Sequence, residues 1–229
     1  MLKKLTMYCL ALTALAAFST PSSSSAANNP QLTHPTGTVI PIGTKVTATN
    51  VGETELQTTV GTTIQKCTSA AMTMELTRNA AGNVMSNVTS ALVSGTGAGG
   101  ACTGIFTEKY SFDGLPWCLR SDNTMGEDEF QVYGGACSEA AKKVTLKLTG
   151  TANCKYESTT TTFVKGTVTT DSPATQDAGL QVPRTGHTPT EDAGLIKVEG
   201  GIACPSSGAL RIAFTLETDS AAAEPIYIS

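Results

Sequence analysis

The chain is poor in charged and aromatic side chains. Asp, Glu, Lys and Arg make up 15% of its 229 residues, and Phe, Trp and Tyr make up 5%. A long charged helix or a coiled coil needs many more Glu, Lys, Leu and Ala residues at regular spacing. The 15 basic residues are outnumbered by 19 acidic ones, for a net charge of −4. This balance argues against a nucleic-acid-binding protein, which usually carries a basic face.

Motifs of catalysis are also absent. His34 and His187 are the only histidines, and neither belongs to the His-Glu-x-x-His pattern of zinc hydrolases. The chain has no Gly-x-Ser-x-Gly elbow for a serine nucleophile. We therefore expect no catalytic residue and no cofactor. A secreted hydrolase remains a less favoured alternative, because two catalytic carboxylates can be far apart in sequence.

Small hydroxyl residues are abundant instead. The chain contains 38 Thr and 18 Ser residues, and 40% of its residues are hydrophobic. That hydrophobic content is enough for a real core, so wholesale disorder is excluded. Threonine has a branched Cβ that suits a pleated sheet and a hydroxyl that suits a solvated face.

The first 27 residues have the three parts of a secretory signal peptide. Lys3 and Lys4 precede the apolar run 5–18, and Ser25 and Ala27 are the small residues at a cleavage site. The run is shorter than the roughly 20 residues that span a bilayer. We expect cleavage after Ala27, a secreted protein in the extracellular space or cell envelope, and no membrane insertion afterwards. The mature charge is then 13 − 19 = −6.

Six cysteines remain after that cleavage. An even number in an exported chain predicts disulfides. Metal binding is disfavoured, because no two cysteines stand two or three residues apart. Six cysteines allow 15 connectivities. We favour the sequential one, in which each pair brackets a hairpin or loop of its own: Cys67–Cys102, Cys118–Cys137 and Cys154–Cys204.

Alternation of apolar and polar residues is the dominant local pattern. In the segment 143–149, Val144, Leu146 and Leu148 alternate with Lys and Thr, as in a half-buried strand. The segments 72–77 and 84–93 predict a hairpin around the turn 80–83. Further strands are predicted at 38–42, 44–50, 54–60, 105–112, 129–134, 154–157, 160–169, 195–199 and 210–217.

These short strands predict an all-β fold. Between them, 95–100 and 171–192 are expected to be loops. We predict one domain over residues 38–229, after an irregular leader at 28–37. Its expected architecture is an antiparallel two-sheet sandwich, immunoglobulin-like or a related Greek key, held by the disulfides.

Four short motifs carry a family resemblance. They begin at His34 (His-Pro-Thr-Gly-Thr), Cys67 (Cys-Thr-Ser), Gly114 (Gly-Leu-Pro-Trp) and Glu224 (Glu-Pro-Ile-Tyr). Together they resemble a group of small exported, Thr-rich bacterial proteins of actinobacterial type. That resemblance implies export and a β fold, and it adds no catalytic residue.

The segment 122–129 is the strongest local concentration of acidic residues. Tested as a twelve-residue calcium loop from Asp122, it places Gly126 fifth instead of sixth and Tyr133 at the position of the bidentate Glu. A non-standard calcium site formed by Asp122, Glu127 and Asp128 is the remaining metal hypothesis. The alternative is a solvated acidic loop held by a disulfide.

Trp117 is the single tryptophan, and it precedes Cys118. In a small β domain such a residue is either a core anchor beside a disulfide or a platform on which a ligand stacks. The favoured function is therefore a secreted structural or interaction protein with an unknown protein or envelope partner. The alternative is a protein that binds an apolar small molecule, which an apolar cavity near Trp117 and the methionines would support.

Overall fold

The computed structural model describes residues 30–126, 128–170, 178–220 and 224–228. Over these residues the protein is nearly all β. These described residues include one α-helix, α1 (Pro189–Ala193), and a 3-10 turn at Ala98–Gly100. The strands are β1 Leu32–Thr33, β2 Lys45–Asn50, β3 Thr54–Gln57, β4 Thr63–Cys67, β5 Ser69–Ala80, β6 Asn83–Ser94, β7 Thr103–Gly104, β8 Glu108–Asp113, β9 Trp117–Asp122, β10 Glu129–Gly134, β11 Thr145–Gly150, β12 Cys154–Ser158, β13 Thr162–Thr170, β14 Ala178–Val182, β15 Gly194–Glu199, β16 Ser207–Thr218 and β17 Tyr227–Ile228.

The predicted hairpin is the longest feature of the fold. Its strands β5 and β6 have twelve residues each and are joined at the pair Ala80–Asn83. Gly82 provides the positive φ of 77° that this tight connection needs. Along β6, buried Val84, Ser86 and Val88 alternate with half-buried neighbours, as the sequence pattern predicts.

The fold departs from the predicted sandwich because eight strands close on themselves. Their order is β14-β13-β10-β9-β6-β5-β2-β16, and β16 also pairs with β14. All of these pairings are antiparallel. A closed barrel has no free edge along its paired strands, whereas each sheet of a sandwich has two.

Strand β16 belongs to two sheets. Its residues Phe214–Thr218 pair with β2, whereas Ala209–Arg211 pair with β3. The first half of β16 thus continues into a second antiparallel sheet, with the order β8-β11-β12-β15-β16-β3-β4-β7. One bridge between Cys102 and Glu108 links the two ends of that order.

The ring of Phe130 lies in the barrel interior, against a glycine on the neighbouring strand. It is 2% exposed, and its register partner on β13 is Gly166. A Cβ atom added to Gly166 would overlap the Phe130 ring and the carbonyl oxygen of Gln181. The glycine therefore lets an aromatic ring lie directly over the neighbouring backbone.

The predicted disulfide connectivity is confirmed. Each bond ties a strand to a loop or to a short segment beside the next strand. The three bonds join Cys67 to Cys102, Cys118 to Cys137 and Cys154 to Cys204. Three disulfides are consistent with an oxidising compartment.

Several predicted segments differ from the observed ones. Within 38–42 the structure has only an isolated bridge at Val39. The predicted loop 171–192 contains β14, whose Ala-Gly-Leu-Gln-Val run is mostly buried, and most of α1. Sequence reasoning missed α1 because five residues are too few to display a helical period. Its signal was the capping box between Thr188 and Glu191.

The N-terminal part of the described chain is held against the rest of the fold. Strand β1 lies within the predicted leader 28–37 and pairs with β17. The Asn79 side chain donates to the carbonyl oxygens of Leu32 and Ile40, both at 2.8 Å. The predicted signal peptide lies outside the described residues.

We predict that Gly166→Ala destabilises the protein by about 1–3 kcal/mol or more, because the new methyl group overpacks the barrel against Phe130. Urea denaturation followed by circular dichroism measures the change. Gly201→Ala is the control, since a Cβ atom there has no neighbour within 4 Å. Equal stability of the two variants would contradict the packing at Gly166.

Candidate functional site

An apolar pocket lies where the barrel meets the second sheet. Its cavity volume is about 60 Å³, and the figure rises to about 670 Å³ when the solvent at its mouth and the gaps between side chains are included. Nine strands contribute side chains to its walls: β3, β5, β6, β8, β9, β10, β13, β14 and β16. The pocket is therefore a product of the long-range topology, and no short segment of sequence encodes it.

Strands β6 and β8 provide the more exposed part of the pocket lining. Strand β6 pairs with β9 only as far as Val88, so residues 89–94 extend beyond that ladder. Strand β8 lies next to β6 without forming a ladder with it. Leu92 is 69% exposed, whereas Val132 and Leu180 are buried. The exposed residue marks the mouth, and the buried residues mark the floor.

Three aromatic rings form one wall. The ring of Trp117 meets Phe112 edge-on at a centroid distance of 5.2 Å and Phe163 at 5.5 Å. Trp117 is 2% exposed. It is thus a core residue that also lines the pocket. The predicted ligand-stacking role stays a prediction. Edge-on aromatic contacts hold such a wall rigid.

Thr54, Tyr110 and Trp117 are the wall residues that carry a side-chain oxygen or nitrogen atom. The surface that the walls present to the pocket is nevertheless almost entirely apolar. The Tyr110 hydroxyl donates to Gln65 Oε1 at 2.7 Å, and Trp117 Nε1 donates to the carbonyl oxygen of Asp113 at 3.5 Å. Burial raises the pKa of Tyr110 above its ordinary value, and the nearby Tyr156 and Glu108 raise it further. The phenol is therefore neutral at physiological pH.

Charged side chains do not contribute to the walls within the described part of the chain. A pocket of this kind favours an apolar molecule through the hydrophobic effect. It disfavours an ion, because a buried charge without a partner is costly.

Sequence reasoning identified Trp117 and missed the other wall residues. Phe112, Phe163 and Thr54 come from β8, β13 and β3, which are distant in the chain. Alternation within β8 was the available signal for Phe112, but alternation does not reveal which strand becomes a neighbour.

Two of the three residues of the calcium hypothesis, Asp122 and Asp128, lie in the described part of the chain. Asp122 and Asp128 both line a separate small pocket of about 280 Å³. Asp122 Oδ1 accepts from the Thr124 amide at 2.9 Å and from its hydroxyl, and Arg120 Nε donates to Oδ2. Glu127 lies outside the described residues, so the three-residue calcium site stays a prediction. Among the described residues, no group of three or more His, Cys, Asp or Glu could hold a metal ion.

Electrostatics at Asp122 favour its ionised form. Burial opposes ionisation, but the hydrogen bonds from Thr124 and the Arg120 guanidinium outweigh it and lower the pKa of the carboxyl group. At pH values above the ordinary carboxyl pKa, ionised Asp122 therefore stabilises the folded protein. This stabilisation is lost as the pH falls through the lowered pKa of Asp122.

We therefore expect Asp122→Asn to be less stable than the wild type at pH 7 and to lose less stability between pH 5 and pH 2. Urea denaturation at a series of pH values measures both effects. Asp219→Asn is the control, because Asp219 is exposed. If Asp122→Asn and the wild type had parallel pH curves, the charge of Asp122 would not be stabilising.

Arg184 organises a second polar cluster. Its Nε and Nη2 atoms donate to Asp192 Oδ1 at 3.0 and 2.8 Å, and its Nη1 donates to Glu129 Oε2 at 2.8 Å. Hydrogen bonding to the buried Asp192 raises the pKa of Arg184. His187 lies beside this cluster, with Nδ1 3.3 Å from Arg184 Nη2. These contacts fasten the segment 183–193 to β10.

His34 lies in a different part of the fold. Its Nδ1 atom is 2.9 Å from Glu224 Oε2. It therefore joins the N-terminal segment to the segment before β17, far along the chain from His187.

A surface groove of about 850 Å³ lies near the end of β14. It is lined by Glu53, Glu55 and Arg211 as well as by apolar residues. Glu53 pairs with Lys66 at 2.6 Å, and Arg211 Nη1 is 3.9 Å from Glu55 Oε2. Glu53 is thus paired with a lysine outside the groove, whereas Glu55 and Arg211 lie close to each other within it.

Comparisons with known proteins do not indicate a function, so the function is inferred from the structure of the site. No protein-family model, curated protein or solved structure matches the chain. The resemblance to exported Thr-rich bacterial proteins therefore stays a prediction.

The buried position of Trp117 predicts its fluorescence. Because it is the only tryptophan and is 2% exposed, its emission should be blue-shifted in the native protein and shielded from acrylamide. Unfolding in guanidinium should shift the emission to the red and expose the indole to the quencher. A native emission spectrum identical to that of the denatured chain would contradict the placement of Trp117.

Proposed function

We propose that this protein is a secreted, non-enzymatic binding protein for an apolar small molecule. The observation that supports this proposal is the apolar pocket beside Trp117 and Met72. An apolar pocket near the single tryptophan and the methionines is the feature that distinguishes a ligand-binding protein from a purely structural one.

The pocket is small in its closed form. Its cavity volume is about 60 Å³, whereas pockets that bind small molecules usually enclose about 300–1,000 Å³, so a larger ligand enters only when the wall side chains move apart. Burial of one methylene group contributes about 0.8 kcal/mol, so three buried methylene groups gain about 2.4 kcal/mol. The cost of immobilising the ligand reduces this gain, so we expect a dissociation constant above the micromolar range.

Disulfides keep such a pocket in shape outside the cell. The Cys118–Cys137 bond lies directly after Trp117 in the chain and fastens the aromatic wall to the loop after β10. A preformed pocket loses less entropy when it binds its ligand.

Within the described part of the chain, no helix is long and apolar enough to cross a membrane.

A protein-interaction module is the second candidate function. Ile196 and Val198 lie two residues apart on β15, and each is 40% exposed. Ile202 follows in the next loop and is fully exposed. Exposed apolar side chains that lie close together are typical of protein-binding surfaces. An unknown protein or envelope partner would contact this part of the second sheet.

The binding proposal predicts saturable uptake of a neutral apolar probe. Titration with N-phenyl-1-naphthylamine should give enhanced probe fluorescence, with excitation at Trp117 transferred to the bound probe. Ala91→Phe should weaken binding at least tenfold, because Ala91 lines the pocket and a phenyl ring would fill it.

Ala140→Phe is the matched control, since Ala140 is exposed and lies outside the pocket. It should bind the probe as the wild type does. Circular dichroism checks that both variants are folded. Absence of saturable binding by the folded wild type, or equal binding by the two variants, would overturn the proposal and favour the interaction module.

A further inference from the structure

Four loops lie together at one end of the second sheet. They are the connections 58–62, 105–107, 151–153 and 200–206. All neighbouring strands in this sheet are antiparallel, so strand direction alternates across it and the four connections come at the end where β16 begins. Strand β16 runs from that end into the barrel. The four loops therefore form the distal end of the second sheet, away from the barrel.

Exposed aliphatic side chains are concentrated at the distal end. Ile202 is fully exposed, Val60 is 85% exposed and Ile105 is 63% exposed, and each belongs to a different loop. Ile202 and Val60 are the two most exposed large hydrophobic residues in the described part of the chain. A concentration of exposed apolar residues marks a site that contacts a protein or a membrane.

The loops hold these side chains away from the core. The Cys154–Cys204 disulfide anchors the loop that carries Ile202. The amide of Ile105 donates to the carbonyl oxygen of Ile64 at 2.9 Å, which ties the second loop to β4. The aliphatic groups thus stand on anchored loops and stay in water unless a partner covers them.

The distal end is also free of charge. None of the residues in its four loops is Asp, Glu, Lys or Arg. Charged residues of the same sheet lie on its strands, as Lys155 and Glu199 do, where they form an ion pair at 2.7 Å. The chain as a whole is acidic, so its net charge does not draw it to anionic lipids. The distal end therefore offers apolar contact without electrostatic attraction.

This composition fits a lipid bilayer better than a protein partner. Protein interfaces bury a continuous patch of about 800 Å² on each side and are enriched in Tyr, Trp, Met and Arg. The four loops contain none of these residue types, and small residues such as Gly and Thr flank their exposed aliphatic side chains. A fluid bilayer surface accepts separate apolar side chains at the boundary between headgroups and acyl chains, with polar groups at the headgroup level.

We propose that the distal end docks on the surface of a zwitterionic lipid bilayer, with Val60, Ile105 and Ile202 entering the boundary between headgroups and acyl chains. The contact is peripheral and needs no spanning segment. It is separate from the pocket beside Trp117, which lies at the opposite end of the second sheet, where that sheet meets the barrel.

Co-sedimentation of the exported, disulfide-bonded protein with phosphatidylcholine vesicles tests the proposal. We expect binding that changes less than about twofold between about 50 and 500 mM salt, because no charged side chain of the distal end takes part. Ile202→Asp should lower the partition coefficient at least about tenfold, since burial of a whole isoleucine side chain is worth at least that factor. Val60→Asp should have a similar effect.

Ile42→Asp is the matched control. Ile42 is 65% exposed, much like Ile105, but it lies before β2 and outside the distal end. This variant should bind the vesicles as the wild type does, and circular dichroism checks that all variants are folded. Ile202→Asp should still take up N-phenyl-1-naphthylamine, so a failure of docking is distinguishable from a failure of the proposed ligand binding.

Four results would overturn the proposal. The first is no binding of the folded wild type to phosphatidylcholine vesicles. The second is an equal loss of binding in Ile202→Asp and Ile42→Asp. The third is binding that requires anionic lipid and disappears at high salt, which would assign the contact to lysines on the strands. The fourth is a dimer in sedimentation equilibrium without lipid that Ile202→Asp dissociates, which would assign the distal end to a second copy of the chain.

Discussion

Closure of the barrel through β16 is the constraint on which the rest of the structure depends. This strand pairs with β2 and β14 in its second half, and with β3 and β15 in its first half. One twelve-residue strand thus closes the barrel and begins the second sheet. Along β16, three side chains follow one another from the second sheet into the barrel, and all three line the pocket: Leu210, Ile212 and Phe214. The pocket follows from that shared strand.

The same geometry explains why the interior is not filled at this end. An eight-stranded barrel has an interior just wide enough for side chains to fill or for one small ligand. Here β6 continues past its ladder with β9, and β8 lies beside it without pairing. Large rings of Phe112, Trp117 and Phe163 partly occupy the resulting space, in edge-on contacts that leave a gap between them. The opening is therefore built into the strand arrangement.

The local strands could be predicted from the sequence, whereas the closure of the barrel could not. The alternation in β5, β6, β11 and β16 was clear, because side chains on a half-buried strand repeat every two residues. The disulfide pairing was also accessible, since each bond encloses a local segment. Closure was not accessible, because it depends on which strand lies beside β16. The burial of β14 within the predicted loop 171–192 illustrates this limit: β14 completes the barrel by pairing with β13 and β16.

Trp117 was recognised from its rarity, whereas Thr54 is one of 38 threonines and nothing in its local sequence distinguishes it.

That contrast bears on how threonine contributes to a Thr-rich fold. On the solvated faces of the sheets a threonine hydroxyl can bond to water or to a nearby backbone carbonyl, as Thr89 does with the carbonyl oxygen of Thr73. At the junction of the two sheets, the hydroxyl of Thr54 is instead buried without a hydrogen-bond partner among the described residues. Burial of a polar group without a partner costs stability. The same residue type therefore stabilises the solvated faces and is a cost at the buried junction, where its branched Cβ rather than its hydroxyl contributes to packing.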